Sequence, residues 1–209
     1  MKQNNIFRRK GIIVSLLLIL FTIFGANALT AEQVAQKTAA IVGNSKGVSA
    51  SFSITQNGKT VKGTLKTSGN KFNVLLPQVS TWYNGKSLYT YNPRTNETTV
   101  TTPTNQELLE SNPLLYVKGG SGYRYSFSPV NRQGKYVVDV IPTGKKSGIT
   151  KLTITVNATT FYPERIIITA GGRSTTVAVS SFHSGISSNA SEFEYPKNRY
   201  PKAEIIDLR

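Results

Sequence analysis

Little in this chain can do covalent chemistry. Among 209 residues there is one histidine, no cysteine, and only ten aspartates and glutamates. His183 stands in a Ser-Phe-His-Ser-Gly stretch near the end of an alternating segment, where a solvated loop side chain is the ordinary reading. The carboxylates that could form a glycosidase-type pair are Glu107 with Glu110 on one helix face, Glu192 with Glu194 on one extended face, and Asp207 near the terminus. No G-x-S-x-G, P-loop, G-x-G-x-x-G or H-E-x-x-H occurs. The lack of cysteine excludes a disulfide framework, a thiolate zinc site, a cysteine nucleophile and a lipid-modified N-terminal cysteine. A single histidine excludes a multi-histidine metal site. No catalytic, metal or cofactor-binding residue is assigned, and the chain reads as a binding protein and not an enzyme.

The elements that would position a binding site are mostly strands. Thr30 with Gln33 is a capping-box pair opening a helix that runs to about Val42, with Val34 and Ile41 on its apolar stripe and Gly43-Asn44 as its stop. From Val48 the period changes to two: Val48, Ala50, Phe52 and Ile54 alternate with serines and a threonine. Asn57-Gly58 turns the chain into a second alternating run through Leu65, and Phe72, Val74 and Leu76 make a third. Asn84-Gly85 repeats the hairpin signal between Tyr83 and Leu88. Thr104 and Glu107 form a second capping box, opening a short helix that carries Leu108 and Leu109 and is stopped by Pro113. Strands resume at Tyr123–Phe127 and continue through Leu152, Ile154 and Val156 to a pair around Gly171-Gly172. The tail is rich in proline and aromatics and reads as extended, with a last short pairing at Ile205-Ile206.

About eleven strands at 8–12-residue spacing, with two helical interruptions and no linker, predict one mainly β domain over residues 29–209: a strongly curved antiparallel sheet or an incomplete barrel. The inward positions Phe52, Leu65, Phe72, Val74, Leu76, Leu88, Phe127 and Ile154 are all apolar. Two short helices over such a sheet suit a lid on an apolar cavity. Periodicity alone fits a solid core equally well.

Residues 1–28 read as a cleaved signal peptide: Lys2, Arg8, Arg9 and Lys10, an apolar run from Ile12 to Phe24, then Ala26-Asn27-Ala28. The run is shorter than the ~20 residues of a spanning helix. Cleavage takes four basic residues and no acid from a net charge of +15, leaving +11. The remaining basic residues are scattered along strands, as on a solvated face, so nucleic acid is not expected as a partner; weak attraction to anionic membrane surfaces is. Export without a lipid anchor predicts a soluble protein of a bacterial periplasm, and nothing demands more than a monomer.

The segment WYNGKSLYTYNP, residues 82–93, resembles the hydrophobic-strand, Asn/Asp-Gly-Lys, aromatic-strand, Asn-Pro motif of the LolA family of periplasmic lipoprotein carriers. The order of parts around it is similar: leader and N-terminal helix, the SFSITQNGKTVKGTLKTSGNKF hairpin, the short helix with NPLLYV, LTITVN, and FEYPKNRYPKAEIIDLR at the end. The resemblance implies an incomplete antiparallel barrel closed by helices, with a cavity for the acyl chains of lipoproteins. It implies acylated lipoproteins, an inner-membrane lipoprotein-releasing transporter and an outer-membrane acceptor as partners, and no cofactor. An alternative is the same scaffold as a lipid- or lipoprotein-binding sensor or regulator of the envelope. Trp82, Leu88 and Tyr91 carry over as cavity or rim residues; Val34, Ile41, Leu108 and Leu109 belong to the lid helices. One departure stands out. Where the family's better-known carriers have a lid-latching Arg in the LKTSGNKF segment, this chain has Thr67 and Ser68, with Lys66 and Lys71 nearby.

Overall fold

The computed structural model describes residues 28–118, 122–130, 132–144 and 148–209. The leader expected at residues 1–28 therefore lies, but for its last residue, outside the described residues. Helix α1 spans Ala31–Val42. Its capping box forms as the sequence predicts: Thr30 Oγ1 accepts from the Gln33 amide at 3.2 Å, and Gln33 Oε1 accepts from the Thr30 amide at 2.9 Å. Six strands follow: β1 (Val48–Gln56), β2 (Lys59–Ser68), β3 (Lys71–Leu75), β4 (Ser80–Tyr83), β5 (Leu88–Asn92) and β6 (Glu97–Thr101). Then come α2 (Asn105–Ser111), a 3₁₀ turn (Pro113–Lys118), and five more strands: β7 (Tyr123–Phe127), β8 (Lys135–Pro142), β9 (Ile149–Asn157), β10 (Pro163–Ala170) and β11 (Arg173–Ser184). Two further 3₁₀ turns, Ala190–Phe193 and Lys197–Arg199, lead to β12 (Glu204–Asp207).

The strands form one twelve-stranded sheet in the order β12-β6-β5-β4-β3-β2-β1-β11-β10-β9-β8-β7. It is mainly β and unclosed, with β12 and β7 at its edges. Two expectations are corrected. The strands number twelve and not eleven, because Ile205-Ile206 joins the main sheet. β12 pairs parallel to β6, since the tail crosses the outer face and returns in the same direction. The second helix ends just before Pro113, as expected, and the proline also opens the 3₁₀ turn, where a missing N–H costs nothing in a first turn.

The turns differ in their chemistry. Asn57 and Gly58 both have positive φ (50° and 73°), the backbone that a two-residue hairpin turn demands. At the second Asn-Gly only Gly85 does (97°); Asn84 Oδ1 instead accepts from the Lys86 and Ser87 amides at 3.0 and 2.9 Å. The connection is therefore a side-chain-closed turn.

Cross-strand register sorts the side chains onto two faces. Ala50 faces Leu65, Leu65 faces Val74, and Thr67 faces Phe72 on the inner, concave face. Phe52 lies opposite Gly63, where a β-carbon would come within 2.8 Å of the Leu75 carbonyl and 2.5 Å of Leu76. Glycine there lets Phe52 and Leu76 close over the strand. The inner face is packed against α1 and the Pro113–Lys118 turn: Val34, Val42, Leu114 and Val117 join Phe52, Leu65, Phe72, Val74, Leu88 and Ile154 in one core. Full burial of each such side chain is worth ~1.5–3 kcal/mol. α1 is therefore firmly anchored, whereas α2 buries no residue at all.

Candidate functional site

The concave face opens where α2 and the following 3₁₀ turn sit over the sheet. A cavity of about 300 Å³ lies there, floored by Phe72 from β3 and walled by Leu108, Leu109 and Leu115. Tyr83, Tyr116, Tyr123, Asn70 and Asn105 supply its hydroxyls and amides. Tyr123 is on the edge strand β7 and Phe72 on β3, so the mouth joins parts of the sheet that are far apart in strand order. Its volume is at the low end of the ~300–1,000 Å³ of ligand pockets. Burial, with Glu110 and Tyr123 nearby, raises the Tyr116 pKa, so its phenol stays a neutral donor. The composition is that of an amphiphile site, apolar floor and hydrogen-bonding rim.

Local sequence keeps α2 folded over this mouth despite its small burial. Thr104 Oγ1 accepts from the Glu107 amide at 3.3 Å, and the Glu107 carboxylate accepts from the Thr104 amide at 2.7 Å and its hydroxyl at 2.9 Å. These bonds, the backbone one foremost, lower the Glu107 pKa. Asn112, fully buried, ends the helix; its Oδ1 accepts from the Leu114 amide at 3.0 Å and starts the 3₁₀ turn.

The residues expected at the site divide three ways. Phe72, Leu108 and Leu109 line the mouth. Phe52, Leu65, Val74, Leu88, Ile154 and Val34 lie in the core behind it, with Leu76 packed against them. Trp82, Tyr91, Phe127 and Ile41 are elsewhere. Trp82 and Tyr91 face outward and pack under the tail: Trp82 meets Tyr195 at 5.6 Å and Tyr200 at 6.0 Å, and Tyr91 meets Tyr200 at 4.1 Å between ring centroids. Phe127 shares the inner face with Val138 but, on the edge strand, is 46% exposed. Ile41 is half-buried, with its carbonyl accepting from Ser184 Oγ at 3.4 Å. Sequence reasoning missed Leu115 and Tyr116, whose signal was the NPLLYV stretch after a proline read only as a stop.

The outer face carries a second, aromatic layer. Residues 188–203 run across β3–β6, with Phe193 fully buried and Tyr195 stacked on Tyr89 and Tyr200 at 5.8 and 6.0 Å. Asn73 Nδ2 donates to the Glu192 carbonyl at 2.7 Å, Lys66 pairs with the Glu192 carboxylate at 3.1 Å, and Asn84 Nδ2 donates to Glu194 at 3.0 Å. Asn96 Nδ2 donates to the Lys202 carbonyl at 2.7 Å.

Each carboxylate singled out in the sequence has a side-chain or backbone partner. Glu107 is in its capping box, Glu110 accepts from Gln106, Glu192 and Glu194 tie the tail, and Asp207 pairs with Arg209. His183 Nε2 lies 3.1 Å from Ser181 Oγ on the outer face. No cluster of three or more metal-ligating groups occurs among the described residues, and no described helix is long and apolar enough to cross a membrane.

A family model described as "Outer membrane lipoprotein carrier protein LolA" matches residues 21–172. The chain belongs to the LolA family. The fold is shared with a solved structure of an uncharacterised conserved protein from Thermus thermophilus, similar over 85% of this chain and 98% of its own, at 12% identity and a TM-score of 0.58. A putative outer membrane lipoprotein-sorting protein domain from Vibrio parahaemolyticus aligns over 83% and 98%, at 16% identity and 0.46. A LolA superfamily protein from Nitrosomonas europaea aligns over 80% and 99%, at 13% and 0.42. No curated protein sequence matches.

In this LolA-family chain the place of the expected latch Arg is taken by hydroxyls that hold α1. Thr67 is buried beneath α1 and its Oγ1 donates to the Val42 carbonyl at 3.4 Å; Ser68 Oγ donates to the Ser45 carbonyl at 3.1 Å. Lys66 points the other way, to Glu192. The first helix is thus pinned at its C-terminal end, and α2 is the freer of the two covers.

Proposed function

We propose that this chain is an exported lipoprotein carrier of the periplasm, released by cleavage of residues 1–28, which shelters lipoprotein acyl chains on the concave side of its sheet. It receives them from an inner-membrane transporter and passes them to an outer-membrane acceptor. The observation that carries this reading is the apolar mouth between α2, the Pro113–Lys118 turn and Phe72, in a chain of the LolA family. Each CH₂ kept from water is worth ~0.8 kcal/mol, so an acylated protein crosses an aqueous space only if its chains are covered. The cavity of about 300 Å³ accepts a limited part of such a lipid. Fuller uptake is by outward movement of α2, which buries no residue and has the least contact free energy to lose. The rim hydroxyls and amides suit the ester and amide groups joining acyl chains to a protein. Transfer needs no cofactor, since the driving force is the better burial offered by the next acceptor.

Native mass spectrometry of the protein with an acylated lipoprotein, beside its unacylated Cys→Ser form, tests the reading. A one-to-one complex with the acylated form alone is expected. Equal binding of both forms, or of neither, contradicts it.

A further inference from the structure

The sheet contains a break in its interior, on the side away from the mouth. β10 pairs with β11 from Ala170↔Arg173 to Arg165↔Ala178 and no further. β11 runs on through residues 179–184, with strand partners on β1 only. Two features lie at the break. β10 starts at Pro163, which has no N–H to donate to a ladder. On the opposite side of β11 a bulge between Ser51 and Phe52 skips Ser180, whose hydroxyl donates to the Ser51 carbonyl at 3.1 Å. A bulge bends and twists its strand, here in company with β1.

A cleft of about 770 Å³ opens along the break. Its two sides are the free edge of β11 and the Tyr162–Arg165 start of β10. Val179 and Phe182, half-buried against the core, are reached from it, and the Tyr162 ring lies 4.7 Å from that of Phe182. Arg132, Lys135 and Arg165 line it against a single acid, Glu164, which is paired with Lys135. Arg132 and Arg165 are exposed and have no ion-pair partner among the described residues.

We infer that this cleft is a docking site for an extended acidic peptide segment of a partner protein, which adds a strand to the free edge of β11. Backbone groups of an added strand complete the ladder that Pro163 interrupts, and its side chains alternate between two faces. Inward ones meet Val179 and Phe182; outward ones, if acidic, meet Arg132 and Arg165. A free inorganic anion satisfies the arginines but leaves the strand edge unpaired, so the peptide is the occupant that both halves of the site favour. This inference stands apart from the carrier reading, because the cleft and the mouth share no lining residue.

The test uses the purified protein and a capped peptide of sequence Thr-Glu-Val-Glu-Val-Glu-Thr, read by fluorescence titration and amide hydrogen exchange. Saturable binding with new protection of amides in residues 179–184 is expected. N-methylation of the peptide valines and the substitutions Arg132→Glu and Arg165→Glu should each weaken binding by roughly tenfold or more, about the loss of one charge-assisted hydrogen bond. Unchanged circular dichroism of the variants shows that they fold. Absence of saturable binding, equal binding of the N-methylated peptide or of its lysine counterpart, or full displacement by inorganic phosphate overturns the inference.

Discussion

Two of the covers of this sheet, the tail on the outer face and α2 on the inner one, are built on opposite principles. On the outer face the tail is held by a buried phenylalanine, a run of stacked and edge-on aromatic rings, and side-chain hydrogen bonds to three separate strand or turn positions, Asn73, Asn84 and Asn96. On the inner face α2 is held by its own capping box and by leucines that remain partly exposed over a cavity. The difference teaches which cover can move. A cover whose apolar side chains are already buried loses their burial on lifting; one whose leucines line a cavity can exchange them for the carbons of a ligand.

Removing the anchor of the outer cover is the most damaging way to break this contrast. Phe193→Ala is expected to cost ~3–5 kcal/mol, as for a fully buried aromatic, with a lower denaturant midpoint in equilibrium unfolding. A loss below about 1 kcal/mol would show that the tail is no more firmly held than α2. A smaller effect is expected from the inner cover's cap. Thr104→Ala removes the N-cap hydroxyl and should cost ~1 kcal/mol, with faster amide exchange confined to α2 and its turn. Exchange that rises throughout the sheet would show α2 to be part of the global core.

Acid should separate the inner cover from the edge strand β12 by window. The Glu107 pKa is lowered in the fold, so its contribution is present above the ordinary value of 4.5 and is lost as pH falls through the folded value below it. Asp207, hydrogen-bonded by Arg209 beside β12, is lowered from 3.8 to about 2, so its contribution begins to fade below 3.8 and is gone near 2. Helix α2 should loosen first in hydrogen exchange as pH is lowered; earlier loosening of β12 would reverse the assignment. The smallest effect on stability is expected from Leu109→Ser, because a partly exposed leucine has less than the ~1.5–3 kcal/mol of a buried one at stake. That variant should nonetheless weaken uptake of an acylated lipoprotein. Unchanged uptake with unchanged stability would remove Leu109 from the site.

Much of the fold was legible because two periodicities and two capping boxes spell it out. The alternation of β1 and β2, the Asn57-Gly58 turn and both helix starts follow from local chemistry. What was not legible depends on distant partners. Trp82 and Tyr91 carry the same apolar signal as Leu88, but only the tail's position shows that they face outward. Pro113 is equally good at ending a helix and at starting the next turn, so Leu115 and Tyr116 were not seen as cavity walls. The break beside Pro163 becomes a cleft together with the bulge at Ser180 on β11, where that strand meets β1, far away in sequence. Of the site, the lid leucines and Phe72 were readable from pattern; the polar rim was not, since Asn70, Asn105 and Tyr123 meet only through the curvature of the sheet.

The most direct test of the contrast places a photo-crosslinking phenylalanine analogue at Leu109, on the inner cover, and separately at Tyr200, on the outer one. Each variant is irradiated with an acylated lipoprotein, and the adducts are sequenced by mass spectrometry. An adduct to the acyl chain at position 109 and none at 200 is the predicted result. An acyl adduct at 200, or acyl-independent adducts at both positions, would contradict the account.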